Sequence, residues 1–262
     1  MIIYTKNNLI DELQEICNRG WIESVRRGNH GSVGNTLEDL LGIEENNLPI
    51  PNANEWELKT HRIKSNALIT LFHVEPSPRA IGFVPNIFLT KYGWPHRSAG
   101  SNYPPSEMSF RQTINGNSHS DRGFKVVLDR ENSKVLVSFD YTKVSDRHNE
   151  WLTNVEKIIG LDEINPQPYW GFQDLENKAG TKLLNCFYVQ AEVKRYNGKE
   201  FYRYCSVTML EQFSFDYFLD EIQNGNILID FDARTGHNHG SKFRLRSNSF
   251  PKFYDKVALI IV

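Results

Sequence analysis

Cysteine is scarce in this chain: three in 262 residues, Cys17, Cys186 and Cys205. An odd, scattered set gives neither a disulfide framework nor a metal-ligand spacing, which argues against a stapled secreted scaffold and a zinc module and for a reducing, cytoplasmic setting. Long apolar runs are missing as well. Lys6, Asp11, Glu12 and Glu15 interrupt the N-terminal stretch where a signal core would sit, and no later window offers 18 uncharged apolar residues, so no membrane segment is expected. Charge of one sign is not in excess: the formal net charge is −2, which argues against a chain-wide polyanion coat but leaves room for one basic face. There is no internal repeat, low-complexity tract or Gly/Ser linker, so composition forces no domain cut.

What is present is an ordinary globular composition, 39% hydrophobic and 24% charged, enough for one large domain or two small ones. Leu9, Ile10, Leu13, Ile16 and Cys17 recur at helical spacing before Gly20 and predict an amphipathic helix with a glycine stop. "NTLEDLLG" predicts a short second helix, capped by Asn35 or Thr36, with Leu37, Leu40 and Leu41 inward. "EWELKTHR" (55–62) and "ALITLFHV" (67–74) alternate like strands around the turn "RIKSN". "GFKVVLD" and "KVLVSFD" predict a hairpin through "RENS". A longer hairpin turns at Asn197-Gly198, a strong short-range turn signal. "SFDYFLDEIQNG" reads as a helix ending at Gly225, and "NILIDFD" as a strand. Residues 75–120, rich in Pro, Gly, Asn and Ser, predict mostly loop, of a length often used for binding. The order points to an α+β or mixed α/β chain without regular βαβ alternation.

Two stretches carry chemistry. Within "PNANEWELKTHR" (51–62), strand alternation puts Glu57 and Lys59 on one face, about 6.5 Å apart, and Trp56, Leu58 and Thr60 on the other. A carboxylate can hold a divalent cation while a neighbouring ammonium orients water or steadies a phosphate, the division of labour that phosphodiester hydrolysis needs. Taken alone the pair is a weak signal, because exposed strand faces carry such pairs routinely. The second stretch runs from Ala233 to Lys256, with Arg234, Lys242, Arg244, Arg246, Lys252 and Lys256 against one acid, Asp255, and with His237 and His239 alongside. It reads either as a solvated surface or as a place for phosphate and base contacts.

Residues 28–76, "GNHGSVGNTLEDLLGIEENNLPIPNANEWELKTHRIKSNALITLFHVEP", resemble the N-terminal half of the MvaI/BcnI family of type II restriction endonucleases. Those enzymes show a glycine-containing loop, a short helix with a Glu, an E-N-N turn, a D-x4-E-x-K strand and an LTLF strand. "HNHGSKFRLR" (237–246) resembles the family's late H-D-x-G-x-x-(F/L)-R segment, and weaker likeness covers most of the chain. The resemblance implies a PD-(D/E)XK core of MutH-like type, a mixed sheet flanked by helices. It implies one nuclease chain over 1–262 with two lobes around a DNA cleft: a catalytic lobe of about 1–75 plus central strands, and recognition elements in about 76–120 and 226–262.

By the same resemblance Glu57 and the Leu58 carbonyl are metal ligands and Lys59 is the catalytic lysine. Glu38 borders the site, or is an ordinary exposed helix acid. His73 matches a site histidine, or is a structural residue at a strand end. Arg234, His237, Asn238, His239, Lys242 and Arg244 lie on the DNA-contacting segment. Two positions depart from the pattern, each an amide where the family has an acid: Asn52, which would complete the metal site, and Asn238, which would bear on base choice. The implied cofactor is Mg²⁺, or Mn²⁺, with Ca²⁺ as a non-catalytic substitute. The implied activity is Mg²⁺-dependent, sequence-specific cleavage of double-stranded DNA by a monomer with a cognate DNA methyltransferase in the same system, impaired by Asn52, whether that residue is natural or engineered. A MutH-like repair nickase and a non-catalytic DNA-binding protein are the alternatives, and an unrelated α+β protein is a further one.

Overall fold

The structure is a computed structural model that describes residues 4–24, 31–43 and 55–261. In chain order its elements begin with α1 (Lys6–Asn18), β1 (Ile22–Glu23), α2 (Ser32–Leu40), β2 (Glu57–Arg62), β3 (Ile69–His73), α3 (Leu89–Tyr92), β4 (Trp94–Pro95), β5 (Met108–Asn115), β6 (Arg122–Asp129) and β7 (Lys134–Val144). They continue with α4 (Asn149–Ile159), β8 (Tyr169–Gly171), α5 (Phe172–Leu183), β9 (Asn185–Tyr196), β10 (Lys199–Phe213), α6 (Phe215–Gln223), β11 (Ile227–Arg234), β12 (His237–Leu245) and β13 (Tyr254–Ile261). They form two compact units, each discontinuous in sequence: residues 1–69, 178–217 and 246–262 in the first, and 70–177 and 218–245 in the second. Among the described residues no helix is long and apolar enough to cross a membrane.

The first unit holds a five-stranded mixed sheet in the order β1-β10-β9-β2, with β13 also on β10. The Asn197-Gly198 turn joins β9 and β10 with both residues at positive φ, 49° and 74°, the conformation a tight hairpin with right-handed strand twist requires. β2 adds to β9 in parallel, with Glu57 opposite Cys186, Lys59 opposite Tyr188 and His61 opposite Gln190. One face of this sheet is apolar. Trp56, Leu58, Phe187, Val189 and Ala191 pack there with Leu9, Leu13 and Ile16 of α1 and Val33 and Leu37 of α2.

Two tyrosines tie α2 to this layer: Tyr204 donates to the Val33 carbonyl at 2.7 Å, and Tyr4 to the Leu41 carbonyl at 2.6 Å. Tyr204 is 1% exposed, so Tyr204→Phe removes a hydrogen bond that water cannot replace. The expected loss is about 1 kcal/mol, read as a thermal midpoint a few degrees below that of the unchanged chain. An unmoved midpoint would show that packing alone holds α2.

The second unit contains a five-stranded sheet, β3-β12-β11-β5-β4, and a three-stranded sheet, β6-β7-β8. Its core is aromatic. Phe72 stacks on Phe243 at 5.1 Å and Phe88 on Phe110 at 4.9 Å, while the buried Trp170 satisfies its indole N–H on the Val74 carbonyl at 3.0 Å.

Both expected hairpins, the N-terminal helix and the mixed α/β class are found. α2 starts earlier than expected, at Ser32 with Gly31 as N-cap, and Thr36 is buried within it, donating to the Ser32 carbonyl. The strands at 57–62 and 69–73 flank a turn with Lys64 at φ 63° but enter different sheets. The loop reading of 75–120 is corrected: the segment holds the helical turns 79–81 and 84–88, then α3, β4 and β5. β5 lies between β11 and β4, with Phe110, Gln112 and Ile114 buried. Its alternation was masked by the turn-forming residues around it and by a glutamine at an inward position. The segment expected at 226–262 is divided, with 226–245 in the second unit and 246–262 in the first.

Candidate active site

The sheet face of the first unit opposite α1 and α2 carries the odd-numbered residues of β2. Glu57 is not on a solvated surface: it is 4% exposed. Its Oε1 accepts from Lys59 Nζ at 2.7 Å, and its Oε2 lies 3.6 Å from Lys182 Nζ. The three side chains are 5%, 12% and 18% exposed. A carboxylate this deep is retained only with paired charge, and here both of its oxygens face cations. Lys182, from the last turn of α5, had no local signal in the sequence. It is 125 residues from Glu57, and only the parallel seating of β2 beside β9 brings them together.

The floor of this site is apolar and weakly acidic. Cys186, opposite Glu57, is fully buried, and burial pushes its thiol up to about 12, so it is no nucleophile or thiolate ligand. Tyr254 donates to its Sγ at 3.1 Å. Tyr188, opposite Lys59, is likewise raised to about 12 by burial, and its ring meets Phe250 edge-on at 5.2 Å. Farther along β2 His61, which sequence reasoning passed over, is buried with Nε2 3.2 Å from the Ala67 carbonyl. Desolvation lowers its pKa, and it lines a cavity of about 490 Å³ with Gln190, Thr208 and Ser247.

Among the described residues no group of three or more His, Cys, Asp or Glu is placed to hold a metal ion, and Asn52 lies outside the described residues. The donors that remain are hard oxygens. β2 ends the path of its sheet, and Ile63, just beyond it, donates to the Ala191 carbonyl at 2.8 Å. Ladder bonds in a parallel pair fall on alternate residues, so the odd positions face β9 and Leu58 turns its carbonyl away from it. One buried carboxylate and one carbonyl oxygen suit Mg²⁺, which binds through one or two carboxylates and keeps several waters. Glu38 is half-buried in α2, which sits on the other sheet face: a Cβ on Gly34 would lie 3.0 Å from Thr60 Oγ1.

The remaining candidates lie in the second unit. His73 ends β3 and is exposed. The β11–β12 hairpin presents His237, Asn238 and His239 at its exposed tip, with the two imidazoles edge-to-face at 4.2 Å. The basic run is not a bare positive surface. Arg234 donates to the buried Glu107 at 3.0 Å and lies over the Tyr103 ring. Arg244 donates to Asp230 at 3.2 Å, and Lys242 lies 4.0 Å from Asp232. These acids fix the direction of each cation while lowering the net field, an arrangement suited to reading specific groups more than to coating a polyanion.

A structure described as a restriction endonuclease MvaI–cognate DNA substrate complex is 26% identical to this chain, with a TM-score of 0.78, covering 98% of this chain and all of the other. One described as restriction endonuclease MvaI in the absence of DNA is 23% identical over the full length of both, with a TM-score of 0.52, and shows likeness of fold alone. No curated protein matches the chain. The fold is of the PD-(D/E)XK type. The MvaI/BcnI restriction endonuclease family matches residues 10–254, and the chain belongs to that family.

Proposed function

We propose that this chain is a type II site-specific endonuclease that hydrolyses phosphodiester bonds of double-stranded DNA with Mg²⁺. The observation that carries the reading is the buried Glu57 carboxylate set between Lys59 and Lys182. The full-length likeness to an MvaI complex with cognate DNA supports duplex DNA as the substrate. Glu57 and the Leu58 carbonyl would hold the metal, with Asn52 offering a neutral oxygen. A bound Mg²⁺ supplies charge neutralisation at the phosphate and a more acidic water.

Lys59, which pairs with Glu57, would orient the attacking water or steady a phosphate oxygen with its ammonium. Lys182 would keep a counter-charge beside the Glu57 carboxylate. Arg234, His237, Asn238, His239, Lys242 and Arg244 dock the duplex. The protein acts as a monomer, and a methyltransferase of the same specificity protects the host. Mn²⁺ substitutes for Mg²⁺ in cutting, and Ca²⁺ supports binding only.

The test is incubation of the purified chain with plasmid DNA, with and without Mg²⁺, at concentrations up to an excess of enzyme. Discrete, metal-dependent fragments with shared end sequences are expected; no sequence-specific binding or cutting would sink the proposal. Asn52 favours a second reading, a DNA-binding protein without catalysis. It predicts specific duplex binding with a steep salt dependence and no cleavage even when position 52 is made acidic.

A further inference from the structure

His237 and His239 stand two residues apart at the start of β12, the spacing at which strand side chains share a face. Both are exposed, and their rings meet edge-on with centroids 4.2 Å apart. Among the described residues neither imidazole has a hydrogen-bond or ion-pair partner. A neutral imidazole carries one nitrogen lone pair, so the pair brings two nitrogen donors to one spot.

The backbone beneath them is held on both sides. Arg234 pairs with His237 and Ala233 with Asn238 across the hairpin. In the turn, Thr235 N–H donates to the Met108 carbonyl at 3.1 Å, and its Oγ1 accepts from Met108 N–H at 2.9 Å. Beyond the pair, Gly240 N–H donates to the Asn238 side-chain oxygen at 2.9 Å, and Ser241 N–H to Glu75 at 2.9 Å. Donors on such a scaffold need little ordering before they act together. The neighbouring cation, Arg234, is offset by Glu107 at 3.0 Å.

We propose that His237 and His239 form a chelating site for a transition-metal ion of the Cu²⁺ and Ni²⁺ class, in addition to the Mg²⁺ site proposed at Glu57. Imidazole suits Cu, Ni and Zn, whereas Mg²⁺ takes oxygen donors. Geometry narrows the class. With a metal–nitrogen bond of about 2.0 Å and a nitrogen about 1.2 Å from its ring centre, two imidazoles bound at a right angle have centroids about 4.5 Å apart, and at a tetrahedral angle about 5.1 Å. The observed 4.2 Å lies nearer the right angle, which is the square-planar or tetragonal arrangement of Cu²⁺ and Ni²⁺. Small side-chain rotations at an exposed tip supply the difference. Water completes the shell, since no third His, Cys, Asp or Glu joins the pair among the described residues.

The experiment titrates the metal-free full chain with Cu²⁺ in an excess of Mg²⁺, without DNA, and follows the visible absorption and the electron paramagnetic resonance spectrum. One saturable equivalent is expected, with two imidazole nitrogens on the ion. Linking two donors raises affinity about a hundredfold over one, so His237→Ala and His239→Ala should each weaken that equivalent by about this factor. His119→Ala, an imidazole of the same unit outside the pair, should leave it unchanged. Both tip positions are exposed, and unchanged circular dichroism of the variants ties the loss to the missing ligand. The absence of a saturable equivalent in the unchanged chain overturns the proposal, as does one that survives in both tip variants. Because no DNA is present, the outcome is independent of the endonuclease reading.

Discussion

Asn52→Asp is expected to raise Mg²⁺-dependent cleavage of plasmid DNA about a hundredfold. An amide oxygen can touch a metal ion but brings no charge to it, so on the proposed reading the site would rely on one carboxylate, Glu57, where the family pattern has two. Losing about 3 kcal/mol of metal-linked transition-state stabilisation corresponds to roughly a hundredfold in rate. Two lysines beside the single carboxylate make the deficit sharper, since Lys59 and Lys182 already oppose a cation at Glu57. The measurement is single-turnover cutting of a plasmid bearing the cleavage site, titrated with Mg²⁺. The metal concentration at half-maximal rate should fall together with the gain in rate. Equal rates and equal metal dependence would mean that position 52 contributes nothing to the site.

Removal of Glu57 has the largest effect, on two readouts at once. Glu57→Ala should abolish cutting, by more than about a thousandfold, and also destabilise the chain by about 3 kcal/mol, because it removes the carboxylate that Lys59 and Lys182, both poorly solvated, lie against. Lys59→Met should abolish cutting as completely with a smaller loss of stability, since Glu57 keeps Lys182 as its counter-charge. Denaturant midpoints of the two variants separate the roles. A Glu57→Ala chain as stable as the unchanged one would show that the three charges do not compensate one another, and cutting by Lys59→Met would remove Lys59 from the mechanism.

Much of the fold was legible because it rests on local rules. Leu9, Leu13 and Ile16 trace one helical face; Asn197 and Gly198 adopt the positive φ that their turn needs; Trp56 and Leu58 alternate with Glu57 and Lys59. The identities of Glu57 and Lys59 as a pair were readable for the same reason. Their burial was not, because it depends on what covers the sheet: Cys186 and Tyr188 on β9, then Phe250 and Tyr254 from the C-terminal segment. Lys182 was illegible because the parallel pairing of β2 and β9 has no signature in either strand. The cluster Arg234, Lys242 and Arg244 looked uniformly positive along the chain because Glu107, Asp230 and Asp232 join it only through β-sheet register. Counting charges in one dimension misses partners supplied from a neighbouring strand.

The interleaving of the two units bears on how such a chain can change its target. The polypeptide passes between them four times, at about residues 69, 177, 217 and 245. Neither unit is a contiguous cassette, so one genetic crossover cannot exchange the second unit for another: 70–177 and 218–245 would have to travel together. A new specificity is therefore more accessible by single substitutions at hairpin tips than by shuffling of modules. Position 238, an amide where the resembled pattern has an acid, lies at such a tip.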